Sequence, residues 1–335
     1  MLKPRNSNNF MFMLFSVSVL LIPMVAFTVS RLRMADPNFE IDLPIWALLL
    51  VGQLLAFGLP CAIYLMVRRD KIKEFLPMRR LGWRNVIMIT GMALSIQPVF
   101  MLLNVLSQFI FPNVIAEVIM GIGRQDGLAM ALIIIAIVPS IFEEVAFRGI
   151  GFAGFKHVSI RKAALINGLL FGFIHMNMNQ FLYAFVLGAV FCYFMYYTKS
   201  LWAPILAHFV FNATQSLLAY VVISTMDYEA MEAAAAVEAE PFAMVAFLLI
   251  MSVIALAFAA GFIAIFIAFR RHNIKRNEEE GIVTDTAAAF KAEGGEPPRA
   301  FTWAFWAAAI SFAILMAMNY LGPVFEESLE VMGGL

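Results

Sequence analysis

The chain has 335 residues, 62% of them hydrophobic and 14% charged, with 33 Phe and a mean hydropathy of +0.85. No ordinary soluble domain has this composition. The balance of 23 basic against 23 acidic residues, with no basic domain, argues against nucleic-acid binding.

Polar backbone in hydrocarbon must be satisfied internally, so runs of about 20 apolar residues indicate membrane-spanning helices. The spans predicted in chain order are Phe10 to Val29, Leu43 to Val67, Val86 to Phe111, Gly127 to Phe147 and Ala163 to Asn177. Phe181 to Tyr197, Leu201 to Thr225, Phe242 to Phe269 and Phe301 to Leu321 follow. The fold class is all-α, a polytopic bundle of eight to nine helices without internal repeats. Residues 1–126 form the N-terminal helices and 127–226 a core. Residues 227–269 hold an acidic loop and the eighth helix, 270–300 a polar segment that reads as a flexible linker, and 301–335 an extra helix with an acidic tail.

Orientation follows from Lys and Arg in the loops. The stretch Arg68 to Arg84 holds seven of them, so it is expected in the cytoplasm, and alternating the spans places the N-terminus there too. On this threading 20 of the 23 basic residues fall inside, and only Arg31, Arg33 and Arg124 fall outside. The acidic stretch Met226 to Glu240 also falls outside. Lys3 and Arg5 before a long apolar run without a small-residue cleavage site suggest a retained signal anchor. Cys61 and Cys192 both lie in spans and report no redox compartment.

Of 23 carboxylates, 21 fall in loops or tails, and only Glu143 and Glu144, in SIFEEVAFRG, remain within a span. An ionisable residue at membrane depth is costly and normally faces the bundle interior as part of a site. Of four histidines only His175 and His208 are in spans. Glu143 and His175 are each 16 residues from Ser159, so a hairpin turning near Val158 to Arg161 would bring them to one level. His208, two turns inside the seventh span, would approach the same region from the cytoplasmic side. Glu144 and Arg148 are i,i+4 with the acid N-terminal, a favourable ion pair that leaves Glu143, about 100° round the helix, free to face a pocket. Phe171 and His175, and His208 and Asn212, share that spacing. Asn167, Asn177, Asn179, Gln53 and Gln97 read as structural or interfacial.

The set FEEVAFRG, FGFIHMN and HFVFN resembles the motifs EExxxR, FxxxH and HxxxN of the CAAX-processing and bacteriocin-processing membrane endopeptidases, the CPBP family, over roughly residues 127 to 220. The resemblance implies an intramembrane endopeptidase with a pocket open to the cytoplasm and a peptide or lipidated protein as substrate, in the inner membrane of a bacterium. Glu143, helped by His175, would activate water. His208 and Asn212 would supply oxyanion donors, with Arg148 fixing Glu144. The family is often described as metalloproteases, and Glu143, His175 and His208 would make a three-ligand zinc set. There is no HExxH helix, and metal-free, glutamate-activated water would use the same residues, so the cofactor is either Zn2+ or none. Two other classes compete: a proton- or ion-coupled transporter, which should show inverted repeats, and a non-catalytic scaffold or bacteriocin-immunity factor.

Overall fold

The computed structural model describes residues 3–35, 43–111, 114–225 and 241–333. The acidic stretch Met226 to Glu240 lies outside the described residues. Among the described residues eleven helices carry the architecture: α1 (Pro4–Ala35), α2 (Ile45–Val67), α3 (Trp83–Gln108), α4 (Val114–Gln125), α5 (Gly127–Gly151) and α6 (Ile160–Ile174), then α7 (Met178–Thr198), α8 (Trp202–Thr225), α9 (Pro241–Glu279), α10 (Thr286–Ala292) and α11 (Trp303–Gly333). A single turn of helix, Ile72–Phe75, lies between α2 and α3, and the described residues contain no strand beyond an isolated bridge from Met78 to Ser200.

Seven of these, α2, α3, α5, α7, α8, α9 and α11, are long and apolar enough to cross a membrane. The remaining predicted spans are helices too. Helix α6 has 15 residues, about 22 Å at 1.5 Å per residue, shorter than a hydrocarbon core. It is tolerated because it is wrapped by protein: ten of its residues, from Ala163 to Ile174, are buried. The hairpin of α6 and α7 is closed by small residues. A Cβ on Gly168 would lie 2.7 Å from the Phe185 carbonyl, and one on Gly188 would lie 3.0 Å from the Cα of Gly168. The two backbones therefore touch, as small-residue contacts allow between membrane helices.

The turn between α5 and α6 falls where the spacing puts it, with α5 continuing through Ala153 and Ser159 preceding α6. The antiparallel register follows: the rings of Phe147 and Phe171, each twelve residues from Ser159, meet edge to face at 5.0 Å. Helix α11 is part of the bundle rather than an appendage. Its Phe312 stacks on Phe173 of α6 at 4.8 Å and lies 5.1 Å from Phe181 of α7.

Two elements differ from the sequence expectation. Residues 114–125, read as an outer loop, form α4, whose Val118 and Ile122 pack on Ile45, Trp46 and Leu49 of α2. The run is apolar at i, i+3 and i+4, but too short to score as a span. The segment read as a flexible linker is ordered: α9 runs on to Glu279, ending in a left-handed Gly281 (φ 67°). The Ile282 N–H donates to the Asn277 carbonyl at 2.8 Å, the 6→1 bond of a Schellman cap.

The polar end of α9 laces three loops together. Arg79 pairs with Glu280 at 2.6 Å and donates to Asn277 and to the Thr198 carbonyl. Arg276 donates to the carbonyls of Arg80 and Leu81, and Asn277 to the carbonyl of Tyr197. Lys199, left-handed at φ 53°, caps α7 and donates to the Thr284 carbonyl at 2.8 Å. Deeper along α9, Asn273 and Asn85 of α3 exchange hydrogen bonds at 2.7 and 3.0 Å, both fully buried.

Candidate active site

Helix α5 is not a uniform α-helix. Leu132–Ile137 and Val145–Gly151 are π-helical, with Glu143 and Glu144 on the α-helical stretch between them, and α2 has a third π segment at Leu54–Gly58. A π-turn widens the helix and diverts backbone hydrogen bonds, and such turns recur at functional sites. Side-chain amides from neighbouring helices meet carbonyls in these segments. Asn167 of α6 donates to the carbonyl of Phe147 at 3.0 Å, and Asn212 of α8 to that of Ile135 at 2.9 Å. The amides thereby hold α5 in the one rotation that presents both glutamates inward.

Glu144 and Arg148 form the ion pair their spacing predicts, Nη1 to Oε1 at 2.9 Å, with both side chains at 0% exposure. The guanidinium lies over the ring of Phe171 at 4.2 Å and near those of Phe191 and Phe147 at 5.3 and 5.8 Å. Arg148 Nε and Nη2 have no hydrogen-bond acceptor, so aromatic faces supply the rest of the cation's surroundings.

The same oxygen of Glu144 bonds Nδ1 of His208 at 2.9 Å. This was not expected from the spacing, which directed His208 at a pocket shared with Glu143. The reason is rotational. Glu144 lies on the side of α5 that faces α8, so the partner of Arg148 is also the partner of His208. A carboxylate already neutralised by Arg148 accepts, so Nδ1 of His208 carries the hydrogen.

His175 is wired differently. It caps the C-terminus of α6, and its Nδ1 lies 2.7 Å from the Phe171 carbonyl. A carbonyl only accepts, so Nδ1 again carries the hydrogen and Nε2 is left as a lone pair. The chain reverses at once through Met176, in the left-handed region at φ 49°, and Asn177, which caps α7 by accepting from the Gln180 N–H. The Phe171 ring stands edge-on to both histidines, 4.9 Å from His175 and 6.0 Å from His208. Phe171 thus works twice, its carbonyl orienting one imidazole and its ring separating the two.

Glu143, 6% exposed, is free of the Arg148 pair, and it lies with His208 and Arg148 within electrostatic range of His175. Its Oε1 accepts from Nε2 of Gln53 in α2 at 2.9 Å. From the sequence Gln53 reads as structural or interfacial, with no sign of this partner. A lone Gln in LLLVGQLLAFG carries no mark of which helix it faces, and its partner is 90 residues away.

The conditional zinc set is not assembled. Among the described residues no group of three His, Cys, Asp or Glu side chains is placed to hold a metal ion. Glu143 Oε1 and the Nδ1 atoms of His175 and His208 are turned to Gln53, the Phe171 carbonyl and Glu144. Asn212 retains one amide hydrogen beyond its bond to Ile135.

Residues 125–214 match the family model described as type II CAAX prenyl endopeptidase Rce1-like. The chain is also 29% identical over 106 residues to the Bacillus subtilis (strain 168) protein named "Putative membrane peptidase YdiL", covering 28% of this chain and 43% of that protein. It thus spans less than half the length of that curated relative. No solved structure matches. The matched segment contains Glu143, Glu144, Arg148, Phe171, His175, His208 and Asn212, every residue of the three motifs. The helical core that carries the buried glutamates and both histidines is thus similar to the Rce1-like CAAX endopeptidases, the group its motifs resemble.

Proposed function

We propose that this chain is an intramembrane endopeptidase that hydrolyses a peptide bond in a membrane-associated or lipidated peptide, using water activated by Glu143. The observation that carries the reading is the different acceptor of each histidine's Nδ1–H, a backbone carbonyl for His175 and a carboxylate for His208. His175 has its Nδ1 hydrogen committed to a carbonyl, so Nε2 can accept a proton. The Nδ1–H of His208 is held by an anionic Glu144, the partner suited to an imidazolium that donates from Nε2. One side of the site takes protons and the other stabilises negative charge.

In this mechanism Glu143, with His175, takes a proton from a water molecule as its oxygen attacks the carbonyl carbon. The C=O electron pair moves onto oxygen, and the oxyanion accepts from the free amide hydrogen of Asn212 and from Nε2–H of His208. Collapse breaks the C–N bond, and the proton held by Glu143 passes to the leaving amine. Glu144 and Arg148 do not touch the reacting atoms; they fix His208. Glu143, Glu144, Arg148 and His208 are buried, and His175 and Asn212 are partly buried, which limits bulk water and strengthens these interactions.

The proposed orientation has the N-terminus and the site's mouth in the cytoplasm, in a bacterial inner membrane. It is supported by the basic clasp of Arg79, Lys199 and Arg276 on the side of the bundle where the α5–α6 turn lies. The test is purified full-length protein in nanodiscs with an internally quenched farnesylated CAAX peptide, alongside profiling of protein termini in wild-type and Glu143→Gln membranes. Glu143→Gln and His175→Ala are expected to abolish cleavage while the protein stays folded. Unchanged termini across the membrane proteome, with no peptide cleavage, would remove the protease reading.

A further inference from the structure

Among the described residues outside 125–214, one polar side chain is hydrogen-bonded to the carboxylate read as the base. Gln53 sits in α2 directly before the π segment Leu54–Gly58, and its Nε2 donates to Oε1 of Glu143 at 2.9 Å. The approach is close here: a Cβ on Gly58, in the same π segment, would lie 3.3 Å from the ring of Phe142, the residue before Glu143. Two other amides between helices pair differently, Asn85 with the amide of Asn273 and Gln97 with the Phe211 carbonyl. Gln53 differs on both of its ends. Its donor meets a carboxylate, and its own Oε1 is buried without a hydrogen-bond partner. A buried acceptor left unpaired is destabilising. It is retained where something that comes and goes, such as water, completes it.

We propose that Gln53 is a positioning residue for the hydrolytic water: its N–H fixes one oxygen of Glu143, turns the other toward the water, and its Oε1 gives that water a second acceptor. Without the Gln53 N–H the Glu143 side chain would be free to rotate between rotamers, and the water would lose a fixed site. The inference rests on the reading of Glu143 as the base. It also gives α2, which the family match does not reach, a share in the chemistry.

Two measurements on the full chain in nanodiscs test it. The first needs no substrate. In isotope-edited infrared spectra the carboxylate band of Glu143, identified by its loss in Glu143→Gln, is expected to shift in Gln53→Met, which keeps length and removes the donor. Gln53→Asn, which withdraws the amide by one methylene, is expected to shift it similarly and covers the case in which the Met variant does not fold. An unmoved band in a folded variant would overturn the proposal. The second uses the farnesylated CAAX peptide: Gln53→Met should lower kcat on the order of 10²-fold, the usual loss from a misplaced reacting group, with KM within about twofold of wild type. Wild-type kcat in Gln53→Met beside an inactive Glu143→Gln would overturn the role of Gln53 alone. Full activity in Glu143→Gln would overturn the base assignment, and the positioning role with it.

Discussion

Two arginine–glutamate networks among the described residues teach opposite lessons. In the core, Arg148 and Glu144 are both at 0% exposure, with His208 as the third member. In the clasp at the end of α9, Arg79 and Glu280 pair at 2.6 Å, but Glu280 remains close to half exposed. Water solvates one member of the clasp whether or not its partner is present, so the pair itself is weak and its uncharged anchor, Asn277, does more of the holding. In the core neither charge has an alternative, and removing one strands the other. The core network is therefore a specificity device, and the clasp is a fastening.

The largest effect that separates the two is expected for Arg148→Met. It leaves Glu144 buried without its cation and should destabilise the protein by about 3–5 kcal/mol, read as a loss of thermal stability in detergent. Arg79→Met should leave the melting temperature close to wild type. The double variant Glu144→Leu/Arg148→Met should regain much of the stability and none of the cleavage. A double variant as unstable as Arg148→Met would show that packing over Phe171, rather than charge, is what the pair supplies.

Next in size is Glu144→Gln, which keeps shape and removes the anion that orders His208. Cleavage of the farnesylated peptide should fall on the order of 10²-fold with the protein still folded. The loss should lie in kcat, because the oxyanion donor acts only when charge develops. A KM effect alone would instead place Glu144 in substrate binding.

Asn277→Ala should be the most damaging change in the clasp. Its amide is fully buried and bonds the Tyr197 carbonyl, Thr284 and Arg79, so truncation leaves a buried carbonyl unpaired at a cost of about 1–3 kcal/mol. Faster hydrogen exchange confined to residues 276–292 is the expected sign, with α5 and α6 unaffected.

The last effect is a pH dependence. Burial pushes the Lys199 ammonium down to about 8, against the pull of Asp285 in the other direction. Since the unfolded chain holds that proton up to about 10.4, the unfolded state binds more protons between the two values, and stability should rise with pH across that window. Lys199→Met should flatten the rise. Glu280 works at the other end: hydrogen bonds from Arg79 and Arg276 hold its carboxyl below the usual carboxylate range. Its contribution is complete above the ordinary carboxylate pKa and is lost as pH falls through the lowered value. Glu280→Gln should therefore change nothing in the shape of the pH profile between pH 6 and pH 9.

What was legible in the sequence was whatever one helix decides alone. Apolar runs located the spans, because hydrocarbon demands about 20 apolar residues wherever they sit in the bundle. The Glu144–Arg148 pair and the Phe171–His175 pair were legible for the same reason, since i,i+4 neighbours meet regardless of what packs against them. The α5–α6 register followed from a short turn of fixed length. Helix α4 and the ordered end of α9 were not legible. Amphipathic and polar helices are stabilised by neighbours, α2 in one case and the loops around Arg79 and Lys199 in the other, that no local pattern names.

Helix rotation was decided only by the tertiary structure. That Glu144 rather than Glu143 meets His208, and that Gln53 meets Glu143, depends on how α2, α5 and α8 turn about their own axes. That turn is set by π segments and by Asn167 and Asn212, whose amides grip backbone carbonyls on α5. The sequence by itself narrowed the candidate groups, because an ionisable side chain within an apolar span is costly and Glu143 and Glu144 are the carboxylates that fall within the predicted spans. Close packing between helices decided which of those groups touch, since contacts 64 and 90 residues apart have no local signature.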